Sequence, residues 1–205
     1  MMTSKDLLRF LRQAKEARRK ALQRWNRQVV NGYRISCRPG CDWCCYQIVA
    51  AGLWEGALLA NYLIQTKQNK LLEAVMRQGE EQAELYTELS HTEAADVWFV
   101  KQEPCAFLQD HRCAVYALRP TACAAHCVVS PAADCAPPTG KMVAGLDSEE
   151  PTVTSLLIDA DLLRLMFGED QAVAQPQPLG RVVALGAQLL LKGPGAIASF
   201  EVAHP

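Results

Sequence analysis

Cys37-Arg38-Pro39-Gly40-Cys41-Asp42-Trp43-Cys44-Cys45 places four cysteines in nine residues, at gaps of three, two and none. Five more follow at Cys105, Cys113, Cys123, Cys127 and Cys135. Thiolates on tight turns, such as the one Pro39-Gly40 imposes, suit a soft or borderline metal, because the loop gathers the ligands before the ion arrives. A pair spaced two apart, completed by groups from far along the chain, is the usual zinc arrangement, and tetrathiolate sites also hold iron–sulfur clusters. The near ligands are Cys37, Cys41 and Cys44 or Cys45; the distant ones are Cys105, Cys113 and Cys123. Adjacent thiols rarely serve one tetrahedral ion well. Cys44 and Cys45 therefore point to more than one metal, or to one ligand beside an auxiliary thiol. A lone Cys113 or Cys127 reads as a small buried hydrophobe, but four thiols in nine residues resist that reading.

The compartment decides between a metal site and a disulfide scaffold. Thr3-Ser4-Lys5-Asp6-Leu7-Leu8-Arg9 contains no uninterrupted apolar core and no small-residue cleavage site. An Arg-rich amphipathic start would also suit a transit peptide in a eukaryotic source. No apolar run approaches the ~20 residues that span a bilayer, and an odd number of cysteines disfavours full disulfide pairing. These features predict a cytoplasmic protein with reduced thiols.

The net charge of -1 hides an asymmetry. Residues 1–40 hold eleven Lys/Arg against Asp6 and Glu16, about +9, so the rest of the chain is about -10. A basic arm on an acidic body suggests either a nucleic-acid or acidic protein partner, or packing of the arm on its own body, for example near Glu80, Glu81, Glu84 and Glu88. The second is the expected use.

Outward from the cysteines the chain reads as helices. Residues 4 to about 30 form an amphipathic helix capped by Thr3 or Ser4 and ended by Asn31-Gly32. Its apolar stripe is Leu7, Leu11, Ala14, Ala21, Leu22, Trp25 and Val29. Further helices are predicted at about 53–66, 69–90 (with a costly Gly79 inside), 154–167 and 181–191. Asp96 to Lys101 reads as strand or core loop. Pro104–Leu108 and Arg112–Tyr116 read as two short strands around Gln109-Asp110-His111. Arg119-Pro120 opens a helical turn that would put Cys123, His126 and Cys127 on one face. Ser130–Gly140 is a loop, His91 and His111 belong in solvent and His204 in the tail. The fold class is mainly α: a small helical domain with a short β-hairpin and irregular cysteine-rich loops organised around a metal site. Residues 1–32 form the basic helix, 33–140 the metal-binding domain, and 141–205 a C-terminal helical segment and tail packing on it. Phosphate loops, nucleophile elbows and paired-histidine protease motifs are absent from the sequence.

Cys37-x3-Cys41-x2-Cys44-Cys45, Glu55-Gly56-Ala57, Pro104-Cys105-Ala106-Phe107-Leu108, Arg112-Cys113-Ala114-Val115-Tyr116 and Arg119-Pro120-Thr121-Ala122-Cys123 together resemble the CxxCxxCC cysteine-cluster family (YkgJ-like), described as zinc- or iron-chelating proteins. The resemblance covers roughly Cys37 to Cys135. It implies metal binding at Cys37, Cys41, Cys44, Cys45, Cys105, Cys113 and Cys123, and by a looser match at Cys135. An arginine often follows the cysteine matched to Cys123, and Ala124 stands there in this chain. Flagellin lysine methylases, which carry an iron–sulfur cluster, look like distant relatives. The implied cofactor is zinc or iron, the latter as an ion or an iron–sulfur cluster. Three functions follow as expectations: a thiolate metal-binding protein, an iron–sulfur redox or group-transfer enzyme, or a structural-zinc adaptor whose basic helix meets an acidic partner.

Overall fold

A computed structural model describes residues 2–38, 40–136, 143–168 and 175–197. Pro39, the loop from 137 to 140 and the tail with His204 fall outside the described residues. Seven α-helices carry these residues: α1 (Ser4–Gln28), α2 (Leu53–Gln65), α3 (Asn69–Glu88), α4 (His91–Lys101), α5 (Thr121–Ala124), α6 (Glu149–Phe167) and α7 (Leu179–Lys192). Two small antiparallel pairs accompany them. β1 (Ala50–Ala51) pairs with β4 (Gln177–Pro178), and β2 (Leu108–Gln109) with β3 (Arg112–Cys113).

Local chemistry sets the helix starts. Thr3 Oγ1 accepts the Asp6 N–H at 3.2 Å while the Asp6 carboxylate accepts the Thr3 N–H at 3.2 Å, a reciprocal cap on α1. Leu7, Leu11, Ala14, Ala21 and Trp25 are buried at steps of three and four. Leu7, Leu11 and Ala14 pack with Ile158, Leu162 and Leu163 of α6 and Leu53, Trp54 and Ala57 of α2. Arg24 pairs with Glu150 of α6 at 2.6 Å, and Trp25 Nε1 donates to the Asp147 carbonyl at 2.6 Å. The basic helix thus docks on acidic α6.

α2 lies at the centre. Leu53, Trp54, Ala57, Leu59, Ala60 and Leu63 are all buried, as expected of a helix that is apolar on every side. α7 runs against it at backbone distance: a Cβ on Gly186 would sit 2.4 Å from Ala57 Cα, and one on Gly56 would sit 2.1 Å from the Val182 carbonyl oxygen. The same closeness explains the costly glycine in α3, since a Cβ on Gly79 would sit 2.2 Å from the Gly180 carbonyl carbon. A second apolar cluster joins α2, α3 and α7 to Phe107 and Val115 of the cysteine-bearing hairpin. Those two side chains anchor the cysteine-rich hairpin to the helical body.

Three local expectations are corrected. Asp96–Lys101 is neither strand nor loop but the second half of α4, which the Ser90–Glu93 capping box starts: Ser90 Oγ accepts the Glu93 N–H at 3.3 Å. α1 does not end in a left-handed turn at Asn31-Gly32; it stops at Gln28, with Val29 right-handed, and tightens into a 3-10 turn over Val30–Gly32. α5 ends at Ala124, so His126 and Cys127 do not continue the face of Cys123.

Candidate metal centre

Backbone hydrogen bonds bring the cysteine segments together. The Ser36 N–H donates to the Val128 carbonyl at 2.9 Å, laying Cys37 beside Cys127. Gly40, at φ 84°, sits in the turn closed by the Cys41 N–H on the Arg38 carbonyl at 3.0 Å, a conformation that favours glycine. Trp43–Tyr46 coil into a 3-10 turn that carries both Cys44 and Cys45. The Cys105 N–H donates to the Cys45 carbonyl at 2.6 Å, joining the first segment to the hairpin. The hairpin turns through Asp110 and His111, both at positive φ (47° and 59°), the signature of a two-residue type I′ turn. At its tip His111 Nδ1 lies 2.7 Å from Asp42 Oδ2, a second clasp to the first segment. Beyond α5, Val128 bridges to Gly145, and Ala132–Cys135 form a 3-10 turn.

All nine cysteines are free thiols, and each lies within electrostatic reach of another. Cys44 faces the widest set: Cys41 and Cys135 on one side, Cys45, Cys105, Cys113 and Cys123 on the other. Cys37 faces Cys41, Cys127 and Cys135. Three cysteines share one device. The N–H two residues on points at the sulfur: Trp43 to Cys41, Phe107 to Cys105 and Val115 to Cys113. Such donors stabilise a thiolate.

Burial pushes the Cys105 thiol up to about 11 and raises Cys123 and Cys113 as well. Cys44 runs the other way. A hydrogen bond from the Cys45 thiol lowers it to about 7, against burial and with help from the Arg119 guanidinium; the same bond raises Cys45. Arg119 stacks over the Tyr116 ring at 4.2 Å and its charge also faces Cys113, Cys123 and Cys127.

Beneath Cys123 lies a buried polar network. Glu55 Oε1 accepts the Thr121 N–H and the Thr121 hydroxyl, each at 2.7 Å. Arg18 of α1 donates from Nε to Thr121 Oγ1 at 3.1 Å and from Nη2 to the Arg119 carbonyl, with Glu55 Oε1 3.8 Å from Nε. Asp159 of α6 accepts the Trp54 N–H at 3.0 Å, capping α2.

The eight sequence-predicted residues, Cys37, Cys41, Cys44, Cys45, Cys105, Cys113, Cys123 and Cys135, each lie within electrostatic range of at least one other cysteine, and so does Cys127. The structure does not close them on a point: among the described residues no three Cys, His, Asp or Glu side chains stand ready to hold one ion. The donor chemistry nonetheless fits a thiophilic metal, with thiols in excess, N–H groups aimed at sulfur and guanidinium charge beside it. His126 and His91 are exposed, and His91 stacks on Tyr86 at 4.3 Å. Sequence reasoning passed over Arg18 and gave Glu55, of the Glu55-Gly56-Ala57 motif, no role at the site. The signal for Arg18 was present: it interrupts the apolar stripe between Ala14 and Ala21.

A helical body that holds nine reduced thiols on clasped loops defines a cysteine-cluster protein. Residues 36–140 match the CxxCxxCC family model, whose description is "Putative zinc- or iron-chelating domain", and the chain belongs to that family. No curated protein and no solved structure gives a significant match to the chain. Among the described residues no helix is long and apolar enough to cross a membrane.

Proposed function

We propose that this protein binds zinc or iron through the thiolates of Cys37, Cys41, Cys44, Cys45, Cys105, Cys113, Cys123 and Cys135, in the reducing cytoplasm. One observation carries the reading: thiols from four separate chain segments lie within electrostatic range of one another, with backbone hydrogen bonds tying the first segment to the Cys105 hairpin and to Val128 beside Cys127. Bound metal would supply the positive charge that lets so many thiolates coexist. Eight thiols exceed one tetrahedral site, which favours two ions or an iron–sulfur cluster with thiols to spare. Metal analysis and an optical spectrum of anaerobically purified protein test this. Visible sulfur-to-iron charge-transfer bands identify a cluster, colourless protein with stoichiometric zinc rules it out, and protein free of both metals overturns the proposal.

The acidified Cys44 thiol favours a second reading, in which the centre supports redox or group-transfer chemistry as in the flagellin lysine methylases that the motif resembles. The adaptor reading needs α1 to bind an acidic partner through residues such as Arg9, Arg12 and Arg19. Salt-sensitive binding lost on neutralising those three separates it from the others.

A further inference from the structure

α1 lies outside the residues matched by the family model, yet one of its side chains reaches the segment that carries Cys123. Arg18 is 6 % exposed and Glu55 4 % exposed. A guanidinium that deep needs partners: the Thr121 hydroxyl and the Arg119 carbonyl accept from it, and the Glu55 carboxylate balances its charge from 3.8 Å. Two of these flank Pro120 at the start of α5, the four-residue helix that carries Cys123, and the third fixes the same helix through Thr121. Arg18 also lies within electrostatic range of Cys123.

We propose that Arg18 is a positioning residue of the metal centre: α1 inserts it as a fixed cation that orients the Arg119–Cys123 segment and offsets thiolate charge at Cys123. This rests on the metal-binding reading. Glu55 does not cancel the effect. It holds Arg18 and Thr121 together at the start of α5, two residues before Cys123. Arg18 is thus the link through which docking of α1 on α6 affects metal affinity.

The full-length chain tests this by zinc competition against a chromophoric chelator, with melting temperature followed in parallel. Arg18→Met alone strands a buried carboxylate and risks unfolding, so the informative variant is Arg18→Met with Glu55→Gln, which removes both charges and keeps an acceptor for Thr121. The expected result is a folded protein whose zinc affinity falls by about 10- to 100-fold. The deficit should persist at high salt, because a buried charge is screened little. Arg18→Lys keeps the cation without the fork and should restore part of the loss. Wild-type zinc affinity in the double variant, with only a lower melting temperature, overturns the proposal and leaves Arg18 a structural side chain. Equal losses in Arg18→Lys and the double variant overturn the charge role. A wild-type chain that takes up neither zinc nor iron overturns the metal-binding reading itself, and this result is independent of any Arg18 variant.

Discussion

The N–H of Cys105 donates to the carbonyl of Cys45 at 2.6 Å, so the two cysteine-bearing segments are joined at the backbone before any metal contact is considered. α2, α3 and α4 form the intervening chain, and the join holds their two ends together at the thiols.

Metal removal should therefore loosen the cysteine half while leaving the α1–α2–α6–α7 packing folded. Chelation is expected to lower the melting temperature by about 10 °C, the effect of losing a ligand held near a thousand times its dissociation constant. Amide exchange should rise most in β2 and β3. A global collapse of protection, including α2 and α7, would show that the metal holds the whole chain.

Cys44 and Cys45 should not be equivalent. Cys44→Ser removes the thiol that faces the widest set of partners, and it should cost more metal than Cys45→Ser as read by metal content per folded chain. In metal-free protein Cys44, lowered to about 7, should be the thiol alkylated first at neutral pH. Peptide mapping after brief iodoacetamide treatment checks this, and faster labelling of Cys105 would contradict it.

The helix contacts predict sharp intolerance at small residues. Gly56→Ala would force a Cβ against the Val182 carbonyl, and Gly186→Ala would force one against Ala57. Each should destabilise by roughly 1–3 kcal/mol or more, since α2 and α7 must part. Gly32→Ala, with open space around it, is the control and should be neutral. Urea midpoints give the comparison.

Asp159 should give the stability a pH dependence. Burial, with the Glu55 charge adding to it, raises its carboxyl from 3.8 to about 6, against the lowering effect of the Trp54 and Leu53 N–H groups. The folded state then holds a proton that the unfolded chain has released. Stability attributable to Asp159 is greatest below about pH 4 and falls as pH rises to about 6, by about 3 kcal/mol in total. Asp159→Asn keeps an acceptor for Trp54 and should remove this component, so the difference in urea stability between the two proteins should change across that window. A constant difference from pH 4 to 7 would refute the assignment.

The long elements were legible because their periodicity is strong: α1 announces itself by seven apolar positions at helical spacing, and α6 and α7 differ from expectation mainly by extending further toward their N-termini. The hairpin was legible from its flanking cysteines and polar turn. α4 was missed because Val97-Trp98-Phe99-Val100 is a short apolar run that fits strand as well as helix, and the decisive evidence, Ser90 with Glu93, lies outside that run. The spacing predicts a shared site for the thiols, but their order in space is not legible in it. Which thiol faces which depends on the Ser36–Val128 and Cys45–Cys105 backbone bonds, and no local pattern encodes those. Glu55 shows the same limit, since a first-turn acid looks alike whether solvent or a buried arginine awaits it.

The docking of α1 on α6 also bears on synthesis. About 120 residues separate the end of the first helix from the start of its partner. At roughly 5–20 residues per second of translation, the Leu7–Trp25 stripe waits on the order of 10 s for Ile158 and Leu162 to emerge from the ribosome. During that interval the nascent chain displays an uncovered apolar helix and then, in sequence, every cysteine. The apolar stripe is thus covered only once α6 has been made, after all nine cysteines have emerged.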